Sequence, residues 1–115
     1  MHSLLIESEM EAAIARFFLG SKPLYEEFRA GCLTQFSADM QALSRGLQQC
    51  DTDTVRRVAH NIKSALIMLG HNAMGAQALS IELAAQAGQL EQAADTWRQL
   101  CVDMNSMQST DGFIN

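Results

Sequence analysis

His60 and Lys63 are the two residues best placed to do chemistry together, since they lie three positions apart in the stretch AHNIKSALIMLG, residues 59–70. On a helix this spacing puts both side chains on one side, about one turn apart. Imidazole, with an unperturbed pKa of about 6.5, is mostly neutral at pH 7 and can act as a nucleophile. A lysine ammonium one turn further on can neutralise phosphate oxygens. The pair therefore suits a carrier that accepts a phosphoryl group on histidine.

The sequence lacks the patterns of several other kinds of site. It contains no Gly-rich phosphate loop, Walker sequence or kinase signature, so we expect neither ATP binding nor any autonomous catalysis. His60 and His71 do not have the i, i+4 spacing of a helical metal pair, and the three cysteines have no metal-ligand spacing. We therefore expect no metal, no cofactor and no disulfide in this chain, with the cysteines as reduced thiols.

The helix that carries this pair is predicted to belong to an all-α domain. With 115 residues, 48% of them apolar, the chain is long enough for one hydrophobic core. Capping residues, glycines and apolar spacings of three and four predict helices over about 3–19, 21–50, 51–70, 72–87 and 89–107, followed by a frayed tail over 108–115. Because short connections favour antiparallel neighbours, we expect an up-down antiparallel four-helix bundle over about 21–107, with the first helix as an additional N-terminal capping helix.

Charge and hydropathy narrow the partners and the location. The formal net charge of −5 argues against general affinity for nucleic acid or for an anionic membrane. No apolar run approaches the roughly 18 residues of a membrane span, and the N-terminus lacks the pattern of a signal peptide. We therefore expect a cytoplasmic protein. Met1 and the self-contained bundle favour a complete protein over a fragment of a larger one.

A helical wheel over the third helix predicts which way His60 points. Apolar residues within about 60° of one direction form the expected core face: Val55, Val58, Ala59, Ile62, Ala65, Leu66 and Leu69. His60 and Ser64 lie roughly 160° from the centre of this face. We therefore expect His60 to face solvent rather than the bundle core.

The outer face around His60 is predicted to be basic. Three of the eight basic residues of the chain fall on or beside it: Arg56, Arg57 and Lys63. No acidic residue occurs within residues 54–81. Ile67, about 140° from the core direction, adds an apolar group with no expected packing role. A histidine framed by cations and an exposed apolar residue predicts a docking face for a partner with an anionic centre.

These residues resemble the histidine-containing phosphotransfer (HPt) domain of bacterial phosphorelays. The family pattern is roughly A-H-x-[LI]-K-G-[SA]-x-x-x-[LIV]-G, and residues 59–70 read A-H-N-I-K-S-A-L-I-M-L-G. The likeness extends from about Leu4 to Met107. It includes the family-like L-Q-Q-C-D before the histidine helix and the pair Ile81-Glu82 in the next helix.

The resemblance implies a role for each residue of the motif. His60 would accept the phosphoryl group through Nε2 from the phosphoaspartate of a receiver domain, in a hybrid histidine kinase or a response regulator, and pass it to another receiver. Lys63 would stabilise the phosphoryl group, and the receiver domain would supply Mg²⁺. Ser64 stands where the family usually has glycine, at the place of close approach. We expect transfer to survive this difference, with an effect on partner range and rate.

Two other functions compete with this interpretation. A helical adaptor could keep the docking face without useful transfer; His60 and Lys63 argue against it, and Ser64 leaves it open. The phosphoacceptor region of a sensor kinase typically has an acidic residue directly after the histidine and a proline soon afterwards. Here Asn61 follows, and no proline occurs after Pro23, so we reject that class. We expect a monomer.

The fourth helix allows two interpretations. One apolar stripe consists of Met74, Ala78, Ile81 and Ala85, and Leu79 and Leu83 point nearly opposite to it. Either the helix is buried on two sides, or one stripe is a second interface, for example for dimerisation.

Overall fold

The computed structural model describes residues 7–114, with side chains described as far as residue 108. This part of the chain forms five α-helices and no strand, which confirms the all-α prediction. In chain order they are α1 (Glu7–Phe17), α2 (Lys22–Gln48), α3 (Thr52–Leu69), α4 (Asn72–Gln86) and α5 (Leu90–Ile114). Residues 3–6, where the first helix is predicted to begin, lie outside the described part. Within residues 7–114, no helix is long and apolar enough to cross a membrane.

Side-chain caps fix where α2 and α3 begin. The hydroxyl of Ser21 accepts a hydrogen bond from the Leu24 N–H at 3.3 Å, at the start of α2. Asp51 accepts from the Thr54 N–H at 3.2 Å and from the Thr54 hydroxyl at 2.6 Å, at the start of α3. Such caps satisfy N–H groups that have no partner within the helix. The cap at Asp51 therefore sets the register of the helix that carries His60.

Gly70 ends α3 in a left-handed turn with φ of 94°. Its N–H donates to the Ile67 carbonyl at 3.0 Å, and the His71 N–H donates to the Leu66 carbonyl at 2.9 Å, the bond pattern of a Schellman motif. A Cβ atom at residue 70 would lie 2.8 Å from the carbonyl oxygen of Glu9 in α1. Glycine is therefore required here twice, for the turn and for the close approach of α1.

The core forms on the face of α3 that the wheel predicts. Six residues of that face are buried: Val55, Val58, Ala59, Ile62, Leu66 and Leu69. Ala65, at its edge, is only partly buried. Two polar side chains link helices around this core. The Tyr25 hydroxyl donates to the Leu69 carbonyl at 2.7 Å, and the Trp97 indole N–H donates to the Ser44 hydroxyl at 3.1 Å.

Helix α3 packs extensively against both α2 and α4. Smaller contacts join α1 to α3 and α2 to α5, and α5 packs mainly on α4. In α4 the predicted stripe is buried: Met74, Ala78, Ile81 and Ala85. Leu79 and Leu83 remain 39% and 54% exposed, so α4 leaves these two leucines at the surface rather than burying them on a second side.

The end of α5 differs from the prediction. The backbone stays helical to Ile114, where a helix end near Met107 and a frayed tail are predicted. Met107 is buried, and the Gln108 amide donates to the Leu33 carbonyl of α2 at 3.3 Å. Extending a helix costs much less than starting one, so a segment without apolar periodicity can continue a helix that is already anchored.

Candidate functional site

His60 lies on the outer side of α3, as the wheel predicts. Its side chain is 51% exposed, while its neighbour Ala59 faces the core and is fully buried. Rotation of the ring would nevertheless break a hydrogen bond, since its Nδ1 lies 3.0 Å from the Oε2 of Glu82. An imidazole in this position is open to a partner on one side and tied to the protein on the other.

Glu82 is the residue that connects the site, and it comes from α4. One carboxylate oxygen contacts His60, and the other lies 3.1 Å from the Nζ of Lys63 as an ion pair. The carboxylate side chain is 15% exposed and that of Lys63 is 19% exposed. The two residues of the sequence motif are thus joined through a third residue on the neighbouring helix.

The environment keeps Glu82 ionised. Its partial burial acts to raise its pKa, but the contacts and charges of Lys63 and His60 outweigh that effect and leave the pKa of Glu82 below its ordinary value. Because a carboxylate only accepts hydrogen bonds, the proton of the neutral ring is assigned to Nδ1 of His60. The Nε2 atom then carries the free lone pair.

The basic patch predicted around His60 is partly neutralised. Besides the pair of Lys63 with Glu82, Arg56 forms an ion pair with Asp53 at 2.9 Å. Asp53 and Glu82 lie directly before and after the acid-free segment 54–81 in the sequence. The turn of α3 and the packing of α4 on α3 bring these carboxylates next to basic residues within that segment. Arg57 is exposed, and its charge contributes to lowering the pKa of the helix cap Asp51. The face therefore carries two acids among its three cations, which the prediction of a positive patch does not include.

Ser64 and Ile67 differ in their surroundings. Ser64 is exposed, and with Asn61 it lines the α3 side of a groove of about 410 Å³ between α2 and α3. Ile67 is only partly buried, but it packs closely over Gly75 of α4. A Cβ atom at residue 75 would lie 2.7 Å from the Cγ1 of Ile67. Ile67 thus has a packing role against α4, which the wheel of a single helix does not predict.

The groove beside Ser64 is mainly apolar. Phe28 and Phe36 of α2 and Met68 of α3 line it, and Gln35 and Asp39 add polar groups. It opens next to the side of α3 that carries His60, because Ser64 lies one turn further along the same face. A partner that covers the imidazole can therefore also reach an apolar surface.

Comparison with known families gives one match. The family model for the Hpt domain matches residues 27–110, which include the whole of α3 and α4 and therefore His60, Lys63 and Glu82. The chain belongs to the Hpt domain family. Hpt domains act in phosphorelays as phosphocarriers on histidine rather than as catalysts. Comparisons with curated proteins and with solved structures give no significant match.

The Hpt domain match covers four of the five helices in whole or part and leaves α1 outside. Within it, the motif residues His60 and Lys63 come from α3, as the sequence predicts, whereas the sequence gives no role to Glu82 beyond its likeness to the family. The sequence feature that could have pointed to Glu82 is its position as the first acidic residue after the acid-free segment 54–81.

Proposed function

We propose that this Hpt domain carries a phosphoryl group on His60, taken from the phosphoaspartate of a receiver domain and passed to another receiver. The observation that carries the proposal is the half-exposed imidazole whose Nδ1 is held at 3.0 Å by Glu82. Holding one ring nitrogen leaves the other as the nucleophile in a fixed orientation.

The transfer is a displacement at phosphorus. The lone pair on Nε2 of His60 attacks, the N–P bond forms, and the bond from phosphorus to the receiver's aspartate oxygen breaks, so that the aspartate leaves as a carboxylate. The proton stays on Nδ1 and remains hydrogen-bonded to Glu82. The negative charge of Glu82 offsets the positive charge that the ring acquires. Transfer to the next receiver is the reverse of these steps.

Lys63 and Glu82 support this step in different ways. Glu82 is a positioning residue, because it touches the ring and not the phosphoryl group. The Lys63 ammonium, 3.1 Å from Glu82, stands one turn from His60 and would contact phosphate oxygens once they arrive. The receiver supplies Mg²⁺ and the reactive phosphoaspartate, so this chain contributes a nucleophile and its surroundings but no autonomous catalysis.

The docking surface that we propose combines the exposed polar residues around His60 with the apolar groove. Arg57 and Ser64 are exposed, Arg56 is paired with Asp53, and Ile67 borders the contact of α3 with α4. We infer that helices α2 to α5 form an up-down antiparallel bundle with α1 as its cap, since successive helices are joined by short connections and pack on one another. The proposal is for a cytoplasmic carrier that acts as a monomer.

Intact mass after exposure to a phosphorylated receiver domain tests the proposal, with wild type beside His60→Gln. We expect wild type to gain one phosphoryl group that is acid-labile and alkali-stable, and His60→Gln to gain none. Circular dichroism of His60→Gln should match wild type, because the side chain lies outside the core. A folded wild type that gains no phosphoryl group from any of several receivers would contradict the proposal and favour a non-transferring adaptor.

A further inference from the structure

Two exposed leucines on α4 stand beside the phosphoacceptor site. Leu79 and Leu83 are 39% and 54% exposed, are separated by one helical turn, and flank Glu82 in the sequence. They are two of the five large apolar side chains that the described part of the chain leaves exposed. Neither contributes to the buried core, so the fold alone does not explain them.

Their distance from the reacting atom is limited by the contacts of Glu82. One helical turn, the length of one glutamate side chain and the 3.0 Å contact with His60 together keep both leucine Cα atoms within roughly 13 Å of the ring. A specific protein interface of ordinary size buries about 800 Å² on each partner, which corresponds to a disc of roughly 16 Å radius. A partner centred on His60 therefore extends over α4 as far as these leucines.

We propose that Leu79 and Leu83 form an apolar contact for the receiver domain that docks over His60, opposite the groove between α2 and α3. The inference rests on the proposed function, because it takes the phosphoacceptor as the centre of the interface. Continuity of the leucines with that centre favours a receiver over a second copy of this chain, since a copy seated on them would also cover His60 and block transfer. The receiver surface that fits is apolar, adjacent to its phosphoaspartate.

The test compares the double variant Leu79→Ala and Leu83→Ala with Val102→Ala. Val102 is 57% exposed on α5, which has its extensive contacts with α4 rather than with α3, so it matches the leucines in exposure but not in location. Alanine preserves the helix, and both sites lie outside the core. The rate of phosphoryl acceptance is measured against the concentration of phosphorylated receiver, and sedimentation gives the oligomeric state.

Loss of the half-exposed leucines should weaken receiver binding by roughly tenfold or more. The expected result is a matching rise in the receiver concentration that gives half the maximal rate, with the maximal rate unchanged because His60, Lys63 and Glu82 remain in place. Val102→Ala should match wild type. Wild-type kinetics for the leucine variant would overturn the inference while leaving the phosphoacceptor intact.

Two further outcomes separate the alternatives. A wild-type dimer that the leucine variant converts to a monomer, with acceptance equal to wild type or faster, would assign the leucines to self-association and overturn the inference. A wild type that accepts no phosphoryl group would remove the proposed function, and co-sedimentation with the receiver then tests this inference separately: equal binding by wild type and the leucine variant, or no binding by either, would overturn it. Leucine-dependent binding of a receiver without any transfer would instead indicate an adaptor.

Discussion

Replacing Glu82 with alanine is the sharpest perturbation of the site, because a single carboxylate contacts both motif residues. Glu82→Ala removes the acceptor for the Nδ1 proton of His60 and leaves the Lys63 ammonium without its ion-pair partner. The ring is then free to rotate and to exchange its proton between the two nitrogens. The positive charge on the phosphorylated ring also loses its nearest anion. We therefore expect slower phosphoryl acceptance with the fold preserved.

The size of the effect follows from the contact geometry. A hydrogen bond to a charged group contributes about 1.5–3 kcal/mol, and partial exposure favours the lower end of that range. Glu82 is 15% exposed and His60 is 51% exposed, so we take about 1.5 kcal/mol as the loss in the transition state. This corresponds to roughly a tenfold lower rate. The free energy of unfolding should fall by about 1–2 kcal/mol, because the ion pair with Lys63 is largely shielded from solvent.

The assay is rapid-quench transfer from a phosphorylated receiver at saturating concentration, so that docking does not limit the rate. Glu82→Gln keeps an oxygen acceptor for Nδ1 without the charge, and its rate should fall between those of wild type and Glu82→Ala. Glu27→Ala, which removes an exposed acid near the start of α2, is the matched control and should transfer at the wild-type rate. If Glu82→Ala also transfers at the wild-type rate, the contact with His60 plays no part in the chemistry.

Three further predictions concern Lys63 of α3, the turn at Gly70 that ends α3, and Glu82 of α4. Lys63→Ala should slow transfer by about tenfold and change the free energy of unfolding by less than about 1 kcal/mol; a wild-type transfer rate would make Lys63 an ordinary surface residue. Gly70→Ala should lower the free energy of unfolding by about 2 kcal/mol or more in urea denaturation, because its φ is 94° and its Cβ would lie 2.8 Å from Glu9; an unchanged urea midpoint would contradict this. The pKa of Glu82 lies below its ordinary value of 4.5, so the stability that its ionised form provides is fully present above that pH and is lost as the pH falls through the folded-state pKa. The stability difference between wild type and Glu82→Gln should therefore be constant near neutral pH and shrink in acid, and a difference that grows in acid would reverse the assigned sign.

The orientation of His60 could be predicted because it depends on α3 alone. The helical period fixes which residues of one helix share a face, and the core face from Val55 to Leu69 shows it clearly. The cap at Asp51 and the left-handed turn at Gly70 likewise depend on local sequence, so the bounds of α3 could be predicted closely.

The partners of these residues could not be predicted in the same way, because they depend on how α4 is rotated and packed against α3. The contact of Glu82 with His60 joins residues 22 positions apart in the sequence, and the packing of Ile67 is possible only because Gly75 has no Cβ atom. A single-helix wheel has no information about either. The ion pair of Lys63 with Glu82 could not be predicted for the same reason, whereas that of Arg56 with Asp53 is an i, i+3 pair within α3 and depends on local sequence alone.

The position of the phosphoryl group on the ring is the sharpest test of whether Glu82 holds His60 ready for transfer. Wild type with labelled histidine nitrogens is phosphorylated by a receiver, and the nitrogen resonances of the phosphorylated ring are assigned by NMR. Because Glu82 holds Nδ1, we expect phosphorus bonded to Nε2 of His60 and to no other side chain. Phosphorus on Nδ1, or on any other residue, would show that Glu82 does not direct transfer to Nε2 of His60.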